Sequence, residues 1–587
     1  MRFKNPILLI STLFLVSCIT NFELNDTSYN YTSSKDFKLG SVNTNGEVDY
    51  LIITTEIFES ILEPLAIWKT QKGIISKIEL VSDIDQTYEG TNLPDKIKNC
   101  ILDYYSNNCT QWVLLAGDHN HIPTKYITCY DGYSYDGDVV CCDSYYGDIN
   151  NDWTQTNFDY KMELYVGRLT ANNKNEMQSL VQRILNYEKN PPIGAWMSHA
   201  LFAGAILQFD QDWNDDNLLD YAECDANRFN NYINDTLLPN DWSSVFLAQN
   251  QGIKGSDYYT DFDLDYIHLK DAINQGCSIG TIYVHGRPQS MSIGKWIEDL
   301  DGDMLLDYTE DPYLGGRAID NISWEILLNT SFTDLQQEDK LGLYFLGSCS
   351  VGTFDDDSDC IAEYFLKNLA IGCVAGSYVV WGEDQWYERE EGGWFIEGLG
   401  FRFLEQLFKY NQPGKALALA KADYIADRIV SPEKNEYTEW GNKTLKQYNL
   451  LGDPECPIWF SIPKQLNVTI DQPFDDIRNT MILKVTADDV PVQNVTITYT
   501  ENNILIWKGK TNENGTIEIP FSQIKVNNYV FTASNNGYLP FQDNISQITD
   551  SSAIPGFNAI IISFIILSLI GIISIYYAYP QMKRKYN

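Results

Sequence analysis

Up to about residue 460, apolar and polar positions alternate between two spacings, and beyond it they follow a third. Short, nearly continuous apolar runs read as strands at Val48–Thr55, Ile74–Val81, Trp112–Ala116 and Leu164–Leu169. Between them lie stretches with helical spacing: Glu56–Lys72 (closed by Gly73), Leu93–Tyr105 and Lys174–Glu188. Strands that alternate with helices predict a parallel sheet with crossover helices. Pro191-Pro192 marks the end of this first unit. A second α/β unit follows, with strands at Ala200–Leu207, Ser278–Val284, Leu341–Leu346 and Ile371–Val379 and helices at Cys224–Ile233, Asp359–Asn368 and Trp394–Phe408. It closes near Leu450-Leu451-Gly452-Asp453-Pro454. From 465 to 546 the helical spacing vanishes, and short β-rich runs appear around an Asn514-Gly515 hairpin signal. That pattern predicts a small Ig-like β-sandwich.

The two ends read differently. Arg2 and Lys4 precede an apolar run, so residues 1–18 read as a secretory signal. Leu15-Val16-Ser17-Cys18 also resembles a lipobox. Near the other end, Phe557–Tyr579 is uncharged and of spanning length, and Lys583, Arg584 and Lys585 follow it. The positive-inside rule places that tail in the cytoplasm and the bulk of the chain outside, at the cell surface. The expected organisation is a signal at 1–18, a polar lead or propeptide at 19–46 and α/β subdomains at 47–192 and 193–462. A sandwich at 463–547, a linker at 548–555, a transmembrane helix at 556–579 and a basic tail at 580–587 complete it.

Charge narrows the partners. With 80 acidic against 41 basic side chains the net charge is −39, which argues against nucleic acid and suits Ca2+ or basic substrates. Solubility in a salty medium accounts for it equally well. Twelve cysteines in an exported chain lead us to expect some disulfides, and the absence of any CxxC pair argues against a zinc ribbon.

The candidate chemistry lies at two strand ends. The run from Ser278 ends on Val284-His285-Gly286, and the run Leu343–Leu346 ends on Gly347-Ser348-Cys349-Ser350. In an open α/β sheet ligands bind at the carboxyl ends of strands. A Cys and a His delivered there are the parts of a thiol nucleophile and its base. The backbone N–H groups of Gly286 and Cys349 are candidates for an oxyanion hole, worth roughly 3 kcal/mol per donor. Taken alone, each residue fits a structural role better; taken together, they fit catalysis as well as structure.

A second pattern points to a cation. Asp212, Asn214, Asp216, Asp220 and Glu223 stand at positions 1, 3, 5, 9 and 12 of an EF-hand-like loop, with the Leu218 carbonyl at position 7. Asp299, Asp301, Asp303, Leu305, Asp307 and Glu310 repeat it. Position 6 departs from glycine in both, as Asn217 and Met304. An acidic, solvated loop is the plainer reading; the repetition favours a structural Ca2+.

Several segments, in order, resemble the gingipain-type cysteine peptidases, which share the caspase-like fold. They are Trp112–Pro123 with its Gly117-Asp118-His119, Asp143-Ser144-Tyr145-Tyr146-Gly147, Tyr165-Val166-Gly167-Arg168-Leu169 and Tyr187-Glu188. Tyr283-Val284-His285-Gly286, Ser348-Cys349-Ser350 and Leu451-Gly452-Asp453-Pro454 complete the set. The resemblance implies His285 as general base and acid, and Cys349 as nucleophile through a thioester. It assigns Asp118, His119 and His121 to a loop without catalytic duty. It also places Asp220 near the family's pocket for a basic side chain, in competition with the cation reading. Val284 replaces the family's Gly, and Phe202-Ala203-Gly204-Ala205 offers no carboxylate to orient the His, which leaves the third group unassigned.

The fold class expected is therefore α/β: two open-sheet, caspase- or gingipain-like subdomains, an Ig-like β-sandwich and a C-terminal transmembrane helix. The function expected is an extracytoplasmic, membrane-anchored cysteine endopeptidase acting on protein or peptide substrates, with Ca2+ and no organic cofactor. A catalytically idle adhesion or binding protein on the same fold, and a Ca2+-binding surface-layer component, are the two other readings.

Overall fold

In the computed structural model the strand-length apolar runs of both α/β units join one sheet. The structure describes residues 46–129, 138–150, 161–213, 216–309, 317–382, 395–430, 438–475, 480–520 and 529–544. The expected signal, lead, linker, membrane run and basic tail lie outside these residues. Among the described residues, no helix is long and apolar enough to cross a membrane.

Eleven strands form the main sheet. In chain order they are β1 (Tyr50–Thr54), β2 (Ser76–Leu80), β3 (Trp112–Ala116), β4 (Tyr165–Leu169), β5 (His199–Gly204), β6 (Ser243–Ala248), β7 (Phe262–Asp263), β8 (Ile279–Tyr283), β9 (Gly342–Leu346), β10 (Ala370–Gly376) and β11 (Tyr448–Gly452). Across the sheet the order is β7-β6-β5-β8-β9-β10-β11-β4-β3-β1-β2. All neighbours are parallel except β10 and β11. β1, β3, β8, β9, β10 and β11 are buried along their whole length, as strands covered on both faces must be.

The helices follow their sequence signals closely. Lys174–Lys189 starts at Asn173, whose side chain accepts from the N–H groups of Asn175 and Glu176, and it buries Met177, Leu180, Val181 and Ile184. The run expected as a helix at Cys224–Ile233 instead begins with a two-residue bridge, and the helix is Ala226–Thr236 with Asp225 as its cap. The strand expected at Ala200–Leu207 breaks into His199–Gly204 and Ile206–Gln208.

The two halves of the sheet meet at β11, the last of its strands in the chain. β11 pairs antiparallel with β10 (Gly372↔Gly452, Val374↔Leu450) and parallel with β4 (Leu451↔Arg168). Gly167 fits there because a Cβ would collide with the Gly452 carbonyl. Beside the seam lies a buried charge cluster. Lys69 Nζ is 2.7 Å from Glu188, 2.6 Å from Asp453 and 2.6 Å from Glu455, and Lys72 reaches Glu188 and Glu455 at 2.6 Å each. The Tyr50 hydroxyl donates to Asp453 at 2.8 Å. Burial penalises every charge here, yet the surrounding carboxylates hold the Lys69 ammonium well above its ordinary range. Two cations face three carboxylates, and burial, outweighing the two lysines, pushes Glu455 up.

Residues 464–544 pack two antiparallel sheets over a core that includes Leu483, Val485, Ile497, Tyr499, Trp507 and Phe531. This unit rests on the end of helix Glu59–Gln71. Thr498 donates to the Gln71 carbonyl, Lys508 to Gly73 at 2.7 Å and Ser534 to Lys72 at 3.3 Å. Carbonyls that the helix end leaves without partners are thereby satisfied.

Disulfides were expected, but among the described residues seven buried cysteines form none. Cys100, Cys141, Cys142, Cys277, Cys360, Cys373 and Cys456 are free thiols. They lie on or beside core strands and helices, where each acts as a small apolar side chain.

Candidate active site

β8 and β9 run in parallel register, Ile279↔Leu343 to Ile282↔Leu346, so their carboxyl ends emerge side by side. His285 follows β8 by two residues, and Cys349 follows β9 by three. Two glycines permit this closeness. A Cβ on Gly347 would overlap the Tyr283 ring. A Cβ on Gly286 would come within 2.5 Å of the Cys349 carbonyl oxygen and 2.8 Å of Ser348 Cβ. The Val284 N–H donates to Ser348 Oγ at 3.4 Å, and valine in place of glycine is accommodated there at 1 % exposure.

The loop after Cys349 is pinned from two sides. Ser350 takes a left-handed backbone (φ 59°) and donates to the Tyr378 carbonyl at 2.8 Å; Gly352 donates to Gly376 at 2.9 Å. From the first half of the sheet, His119 Nδ1 lies 3.0 Å from the Phe354 carbonyl, and Arg168 stacks 5.0 Å from the Phe354 ring. Arg168 is itself fixed by Asp143 (2.6 and 2.9 Å) and by the Gly117 and Ile122 carbonyls. The segments Gly117–Pro123, Asp143–Gly147 and Tyr165–Leu169 thus brace the loop that carries Cys349. Among the described residues, no metal-type cluster includes Asp118, His119 or His121.

Both candidate catalytic side chains are held by backbone carbonyls. The His285 ring is hydrogen-bonded to the backbone of Leu207; burial, outweighing that bond, pushes its pKa down to about 4. The Cys349 thiol donates to the Val380 carbonyl at 3.4 Å, and burial pushes it up. No hydrogen bond joins the thiol to the imidazole. The pair therefore rests neutral, with the imidazole ready to accept a proton. Leu207 lies just beyond the stretch that carries no carboxylate. A carbonyl orients the ring without needing any particular residue type. No motif could have found it, nor Val380.

His285 also opens a small antiparallel sheet, His285–Arg287, Ser290–Glu298 and Asn321–Asn329, that sequence spacing did not suggest. The Trp324 ring meets the His285 ring edge-on at 5.0 Å.

The two acidic loops converge. Gln211-Asp212 pairs in parallel with Leu306-Asp307, and carboxylate oxygens of Asp212, Asp303 and Asp307 lie within 4.8 Å of one another. Asp299, Asp301 and Asp303 form a second such group. Asn217 (φ 61°) and Met304 (φ 66°) both adopt the left-handed turn at position 6. Asp216 accepts from the Leu218 N–H and Asp303 from the Leu305 N–H. Glu223 instead faces Lys254 at 3.6 Å, and burial pushes it up to about 7. Asp220 is exposed and accepts from the Trp213 N–H at 2.8 Å, with no bond to His285 or Cys349. Asn214 and Glu310 lie outside the described residues.

A model of peptidase family C25 matches residues 43–459. Gingipain R2 of Porphyromonas gingivalis is 24% identical over 153 residues, covering 26% of this chain and 18% of that protein. Gingipain R1 of the same species is 24% identical over 153 residues, covering 26% of this chain and 14% of that one. The matched stretch thus spans less than a fifth of either relative. The crystal structure of the Arg-specific cysteine proteinase gingipain R aligns with a TM-score of 0.59 at 15% identity, over 87% of this chain and 99% of that one. The complex of Porphyromonas gingivalis RgpB pro- and mature domains aligns with a TM-score of 0.58 at 16% identity, over 84% and 99%. At such identity the likeness establishes the fold.

Proposed function

The chain belongs to peptidase family C25, and from that premise we propose that it cleaves polypeptide chains with Cys349 as nucleophile and His285 as general base. The observation that carries the proposal is the delivery of both side chains to adjacent carboxyl ends, with Gly286 in contact with the Cys349 backbone. As Cys349 Sγ attacks the scissile carbonyl carbon, the S–H proton passes to the neutral His285 ring. The oxyanion is met by the N–H groups of Cys349 and Gly286. Collapse breaks the C–N bond, and the imidazolium returns its proton to the leaving amine. Water, deprotonated by the same ring, then attacks the thioester and releases the acid and the thiol. The Leu207 carbonyl keeps one ring nitrogen protonated and leaves the other free to act.

Selective labelling tests this. A neutral thiol predicts slow reaction with iodoacetamide, whereas a peptidyl acyloxymethyl ketone engages the base and labels Cys349 quickly. That labelling is expected to fall at least 100-fold in His285→Ala. Equal labelling of wild type and variant would sink the dyad.

A structural Ca2+ is part of the same reading, supported by the convergence of Asp212, Asp303 and Asp307 on one point. Tb3+ bound there is expected to show emission sensitised by the adjacent Trp213, displaced by Ca2+ and abolished in Asp303→Asn. Emission that survives the substitution would remove the site. Ca2+ at 100 times its Kd would add about 2.7 kcal/mol of stability.

The sandwich reads as an Ig-like brace on the catalytic region. The proposed location, outside a membrane with 556–579 as anchor, is supported by the apolar run and the Lys583-Arg584-Lys585 tail. The pocket for the residue before the cut, with Asp220 as its acid, is supported only by position in the chain.

A further inference from the structure

On the sheet that His285 opens, one face carries an apolar strip exposed to solvent. His285 pairs with Ser292, Ser292 with Ile326, and Gly294 with Trp324, so these side chains share a face. Met291, Ile293 and Leu328 are fully buried. Trp324 is 58% exposed and Ile326 53%. A Cβ on Gly294 would meet Ile322 Cγ2 at 3.3 Å and the six-membered ring of the Trp324 indole at 3.4 Å, so the indole reaches over the glycine. Its ring stands edge-on to His285 at 5.0 Å. Asn321–Asn329 is the outer strand of this sheet, with no further strand beyond it among the described residues.

Position relative to the base identifies the occupant. His285 gives its proton to the leaving nitrogen, and that nitrogen belongs to the residue after the scissile bond. A side chain 5.0 Å from the imidazole therefore lies within reach of that residue or the next. A broad indole next to an aliphatic side chain offers apolar contact area and no charge. We propose that Trp324 and Ile326 form the primed-side subsite of the peptidase, selecting an aliphatic or aromatic residue immediately C-terminal to the cut. This rests on the assignment of Cys349 and His285 as the dyad.

The test uses internally quenched peptides with a randomised residue before the cut and Leu, Phe, Gly or Asp after it, with cleavage positions read by mass spectrometry. Wild type is expected to prefer Leu and Phe over Gly by roughly tenfold in kcat/KM, the scale of apolar pocket discrimination. In Trp324→Ala the ratio falls below threefold, mainly through KM, while Trp324→Phe keeps most of it. A ratio measured within one preparation does not depend on the folded fraction. No preference in wild type, or a preference that survives Trp324→Ala, overturns the subsite and leaves the dyad standing. If no peptide is cut in a Cys349-dependent way, the dyad falls and the subsite with it.

Discussion

Replacing Cys349 with alanine is expected to lower kcat/KM by at least 10⁴-fold, on the scale of losing a nucleophile that works as one unit with its base. His285→Ala is expected to fall nearly as far, and the double variant little further, since neither residue has a task without the other. The pH profile carries the finer expectation. The imidazole must be neutral to accept the thiol proton, and burial holds its pKa down to about 4. Activity should therefore persist as pH falls through 6.5, the ordinary range of histidine, and fail only near pH 4. The thiol is pushed up, so no thiolate plateau should precede the alkaline limb. The measurement is kcat/KM against pH for one quenched peptide pool. An acid limb near 6.5 would mean that the ring is solvated, or that the Leu207 bond offsets its burial. Residual turnover in Cys349→Ala above a hundredth of wild type would point to another nucleophile.

Lys69→Met is the substitution expected to destabilise the fold most. It removes the cation shared by Glu188, Asp453 and Glu455 and leaves Lys72 alone against three buried carboxylates. Removing one partner of a buried ionic group costs about 3–5 kcal/mol, because the remaining charges cannot be solvated. That is a large part of a typical domain's stability. Guanidinium midpoints of wild type, Lys69→Met and a Lys69→Met, Glu455→Gln double variant make the check. The double variant removes one of the stranded charges and should recover part of the loss. A change under 1 kcal/mol in Lys69→Met would show that the cluster is accessible to water.

Much of the candidate site was legible because β8 and β9 are largely apolar runs followed closely by His285 and Cys349. Strand-length burial and a terminal His or Cys are properties of residues, and a sequence displays them directly. Leu207 and Val380 act through backbone carbonyls, which every residue possesses. The same limit hid the sheet that begins at His285: Asn321–Asn329 alternates imperfectly, with Trp324 and Ile326 exposed where a buried face would be expected. The twin acidic loops were visible as repeats of spacing. Their meeting depends on a two-residue bridge between Asp212 and Asp307, too short and too distant in the chain to leave a pattern. β6, β7 and β11 escaped notice too. β7 is only two residues long, and β11 follows directly on helix Thr438–Gln447.

The seam at β11 has a consequence for the order of events during synthesis. Strands β1–β4 and β5–β10 are complete by residue 376, yet the strand that joins them is supplied by residues 448–452. Until that stretch leaves the ribosome, each half presents a long, apolar open edge, β4 on one side and β10 on the other, the kind of edge that recruits other chains. Asp453 and Glu455, the acids that Lys69 awaits, arrive in the same few residues. A nascent chain halted before residue 448 should therefore hold a divided sheet, with Lys69 and Lys72 sharing Glu188 and still lacking the other two acids of the cluster. The protein's growth past that point is the moment at which it becomes one body.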